Sequence, residues 1–324
     1  MDRLPAHRRA VQTAFERALG PSARMAVTGA TGWLGTAMVE MATRAGLTPE
    51  NGRLRVFASR PGRLGLEGGT TVDLEALAGA TPLAGKDWIV AHFAALGKER
   101  TVDLSVADYV AQSEGLQDAA LRLLAGADRP RLIFASSGAV YGPAGAPPAL
   151  VDEPYGHMKS RQELSLAAWC EAAGVPLTVC RVFNVGGPCG NKLDLYALSS
   201  LIRSALAGGE ISIRAQGPVL RSYVHVEELM AVLVGQAQSA RPGGGQPFDS
   251  AGTGVIEIGD LALMICAQLG LDPARIIRRQ DTAAPVSRYV SDGAAYQAAA
   301  RSMGLTPIGI EAIVSDSIAS LSGR

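Results

Sequence analysis

Thr28-Gly29-Ala30-Thr31-Gly32-Trp33-Leu34-Gly35 spaces its glycines G-x-x-G-x-x-G, between a short apolar run from Met25 to Thr28 and a helical pattern from Leu34 to Ala45. A side chain at such glycines would hold the backbone away from a pyrophosphate on the helix N-terminus, where N–H groups and the helix dipole favour negative charge. The last glycine lets the helix approach the sheet. A glycine triplet alone says little in a chain with 38 glycines among 324 residues, about 12% against an average near 7%. At the first strand-to-helix turn it reads as a dinucleotide-binding turn, with Gly29, Thr31, Gly32, Trp33, Leu34 and Gly35 as the expected contacts.

Working outward, strand and helix patterns alternate. Arg53 to Ala58 and Trp88 to Phe93 read as strands, a helix falls around 105–125, and Arg131 to Ser136 reads as a strand. A helix from about Gly156 to Ala173 and a strand from Leu177 to Val182 follow. Strands separated by helical stretches of about ten residues or more predict parallel βαβ units, hence an α/β Rossmann-type doubly wound sheet with ligands beyond the carboxyl ends of its strands. After Val182 the alternation weakens, and Gly186-Gly187-Pro188 and Gly243-Gly244-Gly245 bracket a less regular region. The expected organisation is a helical extension over 1–23, a Rossmann domain over 24–183 completed by about 224–250, and a smaller C-terminal substrate-binding lobe over 184–223 and 251–324. The extension carries Ala10, Val11, Ala14, Phe15, Ala18 and Leu19 on one helical stripe before Gly20-Pro21.

Composition closes other routes. Thirty basic and thirty acidic residues give zero net charge and no long-range pull on nucleic acid or an anionic membrane. With 48% apolar and 19% charged residues the chain can bury a large core. No apolar run approaches the roughly 20 residues that span a bilayer, and the charged N-terminus lacks the apolar core of a secretory signal. Cys170, Cys180, Cys189 and Cys266 never fall at CxxC spacing, and His7, His92, His157 and His225 make no zinc pattern, so no metal is expected. A reducing cytoplasm is the simplest compartment.

Val56-Phe57-Ala58-Ser59-Arg60 ends the second strand without the carboxylate that would accept from a ribose 2′-OH. Ser59 and Arg60 suit a 2′-phosphate, so NADP is expected ahead of NAD; a merely solvated arginine is the other reading. Asp73, with Leu74, is expected to end the next strand near the adenine, an exposed loop aspartate being the alternative. Tyr155 and Lys159 stand four residues apart at a helix start and share a face. Lowering a tyrosine from about 10 to about 7 needs roughly 4 kcal/mol of phenolate stabilisation, which a lysine ammonium on the same face can supply. Ser136-Ser137, at the end of a strand, would point a hydroxyl at the same substrate oxygen. Glu163, one turn after Lys159, reads as a helix pair worth a few tenths of a kcal/mol. Cys180 and Cys189, flanking the expected substrate segment, read as small buried thiols, and His225 as a packed, hydrogen-bonded histidine.

These motifs resemble an extended short-chain dehydrogenase/reductase, the NAD(P)-dependent nucleotide-sugar epimerase/dehydratase family, over about residues 24 to 320. The stretches that carry the resemblance are TGATGWLG (28–35), HFAA (92–95), SSGAVYG (136–142), YGHMK (155–159), RVFNVGGP (181–188) and RSYVHVEEL (221–229). The resemblance implies that Ser137 is the catalytic Ser/Thr, Tyr155 the acid/base, and Lys159 the holder of the nicotinamide ribose. Phe93, Ala94, Ala95 and Val182 would lie beside the cofactor, and Asn184 and Arg221 would face the phosphates of a nucleoside-diphosphate sugar. Pairing of two long helices into a homodimer is also the family's habit. Gly138-Ala139 stand where the family's 4,6-dehydratases carry Asp-Glu, so dehydration is not expected. Ser113 and Ser222 replace the family's usual Asn and Asp.

The expected reaction is reduction of a 4-keto nucleotide sugar, hydride from the nicotinamide and a proton from Tyr155. The alternative is a 4-epimerase with tightly held NAD. Reduction of a lipophilic ketone fits the fold, but Asn184 and Arg221 count against it. A non-catalytic NADP-binding redox sensor is the reading from another class, and the intact Tyr155 and Lys159 count against that.

Overall fold

A computed structural model describes residues 3–142, 146–281 and 283–323. The chain divides into two compact units: Val11–Val182 with Met230–Phe248, and Met1–Ala10 with Phe183–Leu229 and Asp249–Arg324. Residues 224–229 thus group with the smaller unit, and so do the first ten.

The chain opens with α1 (Arg3–Leu19), which starts seven residues ahead of Ala10, the first residue of the apolar stripe, with Val11, Ala14, Phe15 and Leu19 buried. The larger unit then runs β1 (Arg24–Thr28), α2 (Trp33–Arg44), β2 (Leu54–Ala58), β3 (Gly62–Gly65), β4 (Thr71–Ala76) and β5 (Trp88–His92). It continues with α3 (Val106–Leu124), β6 (Arg131–Ser137), α4 (Pro154–Ala173) and β7 (Leu177–Val182). The helix α5 (Val226–Ser239) and the edge strand β8 (Phe248–Asp249) follow later in the chain. The sheet order is β8-β7-β6-β5-β1-β2-β4-β3. From β7 to β4 the pairings are parallel, with Val27 opposite Val56 on one side and Ala91 on the other, and Ala91 opposite Ile133. Central strands covered on both faces must be apolar throughout, which is why Met25-Ala26-Val27 and Leu132-Ile133-Phe134 read as unbroken runs and are all buried. Phe57, Trp88, Leu123, Phe134, Leu166 and Val179 share one core.

The chain leaves β1 toward β2 on one side and returns to β5 on the other. The strand order therefore reverses between β1 and β5, where such sheets open a crevice beyond their carboxyl ends. The glycine turn follows β1 at this point. Gly29 has φ +70, and a Cβ there would stand 2.5 Å from the Ala94 nitrogen.

One expectation fails at the sheet edge. The strand after β2 is β3, antiparallel to β4 with Arg63 opposite Asp73. Gly68 and Gly69, at φ +75 and +82, turn the chain between them. Because Ala58 pairs with Ala76, the carboxyl end of β4 lies at Ala76, and Asp73 sits three residues, roughly 10 Å, below it. Its side chain is 85% exposed and 3.6 Å from Arg63. Asp73 and Leu74 are therefore corrected from cofactor contacts to hairpin positions, Leu74 being buried.

The smaller unit gathers Leu198, Ile202, Leu261, Ile265, Ile313 and Val314 into its own core. Its strand Asn184–Gly186 runs parallel to Tyr223–His225, and Val219–Arg221 lies between Ile256–Glu257 and Ser287–Tyr289. His225 is fully buried, 2.8 Å from Asp316.

A methyl group at Gly35 would stand 2.7 Å from the Ala30 Cα and still closer to the Gly29 carbonyl oxygen, all of it backbone that cannot swing aside. Gly35→Ala should cost about 1–3 kcal/mol, read as a lower midpoint in thermal unfolding, whereas Gly46→Ala, with open space at its Cβ, pays only for its positive φ.

Candidate active site

The turn after β1 satisfies its own carbonyls. Gly29 O accepts from Gly32 N–H, and Ala30 O accepts from the Thr36 hydroxyl. The oxygens are thereby occupied within the loop, and the first intrahelical bond, from Thr36 N–H to Gly32 O, leaves the earlier amides pointing out along the axis of α2. No side chain caps this end. Trp33 and Gly35 are buried, Gly32 and Leu34 half-buried, and Thr31 exposed. A Cβ at Gly29 or Gly35 would fill this cradle or break it, so the residues present fit a dinucleotide pyrophosphate.

Across the crevice, Phe93 N–H donates to Thr28 O, and Ala94 N–H to the Thr28 hydroxyl, which lies 2.8 Å from His92 Nδ1. The β1 and β5 ends are thus tied together beside the turn, with Ala94 buried and Ala95 exposed. Burial, with the nearby Lys159 charge as a lesser cause, pushes the His92 pKa down to about 3. Ser59 and Arg60 follow β2, both exposed. Arg55 and Arg63 are taken by Glu75 and Asp73.

The helix α4 starts at Pro154, whose missing N–H and fixed φ suit a first turn. Tyr155 and Lys159 share a face one turn apart, and both line a small pocket with Ala95, Tyr109, Ser113 and Gln162. The first turn of α4 docks on Gly138–Val140, where a Cβ on Gly156 would strike the Ala139 carbonyl oxygen. The Lys159 ammonium is buried, donates to Ala135 O at 2.7 Å and stands 4.7 Å above the Phe134 ring. Burial lowers its pKa to about 8, against an opposing pull from the Glu163 carboxylate. Ser137 ends β6, buried, its hydroxyl accepting from Ala139 N–H, and Val182 sits opposite it on β7. Tyr109 is pushed up by burial and by the neighbouring Tyr155, and its hydroxyl donates to Leu96 O.

In the smaller unit Asn184 opens the strand paired with Tyr223–His225, and Arg221 ends the separate strand Val219–Arg221. The Asn184 amide donates to Ser222 O and Tyr289 O, at 3.0 and 3.4 Å. Arg221 donates to Leu220 O, Ser287 O and the Ser287 hydroxyl, 6.0 Å from the centre of the Tyr289 ring. Tyr289, which no sequence motif marks, thus joins the two.

Sequence reasoning also missed the role of Glu163. Its carboxylate pairs with no surface lysine; it is buried, accepts from the Ser136 hydroxyl and is gripped by the Nε and Nη2 of Arg181. Arg181 Nη1 donates in turn to the Tyr141 hydroxyl at 2.7 Å, and this bonding to Glu163 holds the guanidinium pKa above its ordinary value. Only the partner across the sheet distinguishes this arrangement from a helix-surface pair.

Among the described residues no group of three or more metal-binding side chains comes together, and no helix is long and apolar enough to cross a membrane.

A family model described as the NAD dependent epimerase/dehydratase family matches residues 25–247, and the chain belongs to that family. A UDP-N-acetyl-alpha-D-glucosaminuronate decarboxylase from Bacillus cytotoxicus is 28% identical over 161 residues, which is 45% of this chain and 49% of that protein, so the match spans about half the relative's length. The structure of MoeE5 in complex with UDP-glucose and NAD aligns at a TM-score of 0.69 and 22% identity, covering 93% of this chain and 99% of that one. A UDP-N-acetylglucosamine 4-epimerase from Methanobrevibacter ruminantium M1 aligns at 0.67 and 18%, covering 94% and 99%. Both structures share the Rossmann-type fold.

Two buried bases give the stability a defined pH dependence. The unfolded chain takes up a proton at His92 near pH 6.5, but the native state resists it down to about 3, so stability falls as pH drops through that window. Lys159 does the same between its ordinary 10.5 and about 8, stability rising with pH there. Each slope should approach about 1.4 kcal/mol per pH unit. Urea unfolding across pH should show His92→Gln flattening the acid slope alone, and Lys159→Met the alkaline slope alone.

Proposed function

We propose that this protein reduces the 4-keto group of a nucleoside-diphosphate sugar with NADP as its cofactor. The observation that carries the reading is the buried Lys159 ammonium, one turn from Tyr155 on α4 and bonded to the carbonyl two residues before Ser137. A charge is costly in such a place unless something nearby uses it. Residues 29–35 would hold the pyrophosphate, Ser59 and Arg60 the 2′-phosphate, and Lys159 the nicotinamide ribose. When bound, the nicotinamide supplies hydride to the carbonyl carbon. Tyr155 donates the proton to the carbonyl oxygen, Ser137 donates a hydrogen bond to the same atom, and the Lys159 charge favours the phenolate left on Tyr155. The C=O becomes CH–OH, and Tyr155 regains its proton from solvent. Arg221 and Asn184 would meet the substrate diphosphate. Gly138 and Ala139 offer no acid or base for water elimination, which supports a reductase over a dehydratase.

The second reading is a 4-epimerase, favoured by the NAD-bound structure and the 4-epimerase among the solved relatives. In it Tyr155 takes the proton of the 4-hydroxyl and later returns one to the keto oxygen, without net consumption of cofactor.

The assay is NADPH oxidation with a panel of nucleoside-diphosphate 4-keto sugars. Turnover is expected, and Tyr155→Phe should lower kcat about 10²- to 10⁴-fold with NADPH affinity within about threefold. No oxidation with any of the panel sinks the reductase, and sugar interconversion without external cofactor selects the epimerase. The rate should also decline as pH rises through about 8, where the Lys159 ammonium loses its proton.

A further inference from the structure

We infer that Glu163 and Arg181 are positioning residues that clamp both ends of the turn bearing Ser137, and so aim its hydroxyl. The inference rests on the reading of Ser137 and Tyr155 above. Between Ser136 and Tyr141 lie only Ser137, Gly138, Ala139 and Val140. At the near end the Ser136 hydroxyl donates to Glu163 Oε1. At the far end the Tyr141 hydroxyl accepts from Arg181 Nη1, and the guanidinium carbon stands 4.9 Å from the ring centre. The two tethers meet in one ion pair, since Arg181 Nε lies 2.9 Å and Nη2 2.6 Å from Glu163 oxygens.

The clamp is also referenced to the reacting helix. Glu163 stands on α4, one turn beyond Lys159 and two beyond Tyr155, and α4 grips consecutive residues of β6: Lys159 holds Ala135 O and Glu163 holds Ser136. Arg181 lies opposite Ser136 on β7. An arginine fork is needed for this, because its planar donors reach both carboxylate oxygens and a third acceptor at once, which an ammonium cannot do with the same geometry. The hydroxyl of Ser137 is thereby placed relative to Tyr155 through a carboxylate that holds the preceding residue, Ser136.

The test is a double-mutant cycle on kcat, with hydrogen exchange on the NADP-loaded protein beside it. Arg181→Lys keeps the charge and loses the fork. Tyr141→Phe removes the outer tether, at a residue 45% exposed, and serves if Arg181→Lys does not fold. Each should lower kcat about 10- to 100-fold with KM within about twofold, as expected when a reacting group is misplaced by about an ångström. In a Ser137→Ala background each should cost less than about twofold, because no hydroxyl remains to aim. Exchange over 136–142 should quicken about tenfold while residues 24–58 stay unchanged. Equal losses in both backgrounds overturn the clamp, and so does unchanged exchange over 136–142, which needs no substrate. An undiminished kcat in Ser137→Ala overturns the reading of Ser137 itself.

Discussion

A buried ammonium organises the larger unit. Lys159 has lost nearly all contact with solvent, and an isolated charge in that position would be strongly unfavourable. Three neighbours offset the cost: the Ala135 carbonyl accepts a hydrogen bond from it, the Phe134 ring offers its negative face, and the Glu163 carboxylate opposes the loss of charge. Burial still prevails, so the ammonium keeps a pKa of about 8. Each neighbour also fixes geometry. The bond to Ala135 pins α4 to the end of β6, and Glu163, being buried itself, needs partners of its own and finds them in Ser136 and Arg181. From one desolvated cation follows a chain of obligatory polar contacts across α4, β6 and β7.

Steric exclusion governs the facing side of the crevice. At Gly29 the backbone is left-handed and the β5 loop lies too close for any Cβ, while at Gly35 the helix rests on the turn itself. Thr28 completes the arrangement by accepting from Ala94 N–H while its hydroxyl meets His92. A neutral His92 suits this setting, because a second positive charge beside Lys159 would find no water to spread into. The turn after β1 thus presents backbone amides on one side, while the Lys159 ammonium and the Ser137 hydroxyl sit at the end of β6 on the other.

Much of this was legible in the residues. The glycine spacing, the continuous apolar strands and the Tyr-x-x-x-Lys helix each have a local cause, and the strands from β1 to β7 begin or end within a residue of the sequence-based expectation, β3 and β4 aside. The hairpin was not legible. Gly62 to Gly65 has no alternating pattern to announce a strand, and only pairing with β4 makes it one and draws Asp73 away from the carboxyl edge. Glu163 failed for a different reason: at i+4 from Lys159 it satisfies a helix-surface rule, and nothing local reveals that the neighbouring space is filled by Ser136 and Arg181.

The sequence by itself determined the alternation of elements, the family and the cradle for an anion, because these follow from backbone sterics and short-range periodicity. Tertiary structure alone decided which titratable groups are buried, and with whom. Desolvation and pairing depend on atoms 18 to 64 positions away in the chain, such as Arg181 on Glu163, Ala135 on Lys159 and His92 on Thr28. Those distances set the charge state of Lys159 and the placement of Ser137, and no local pattern encodes them.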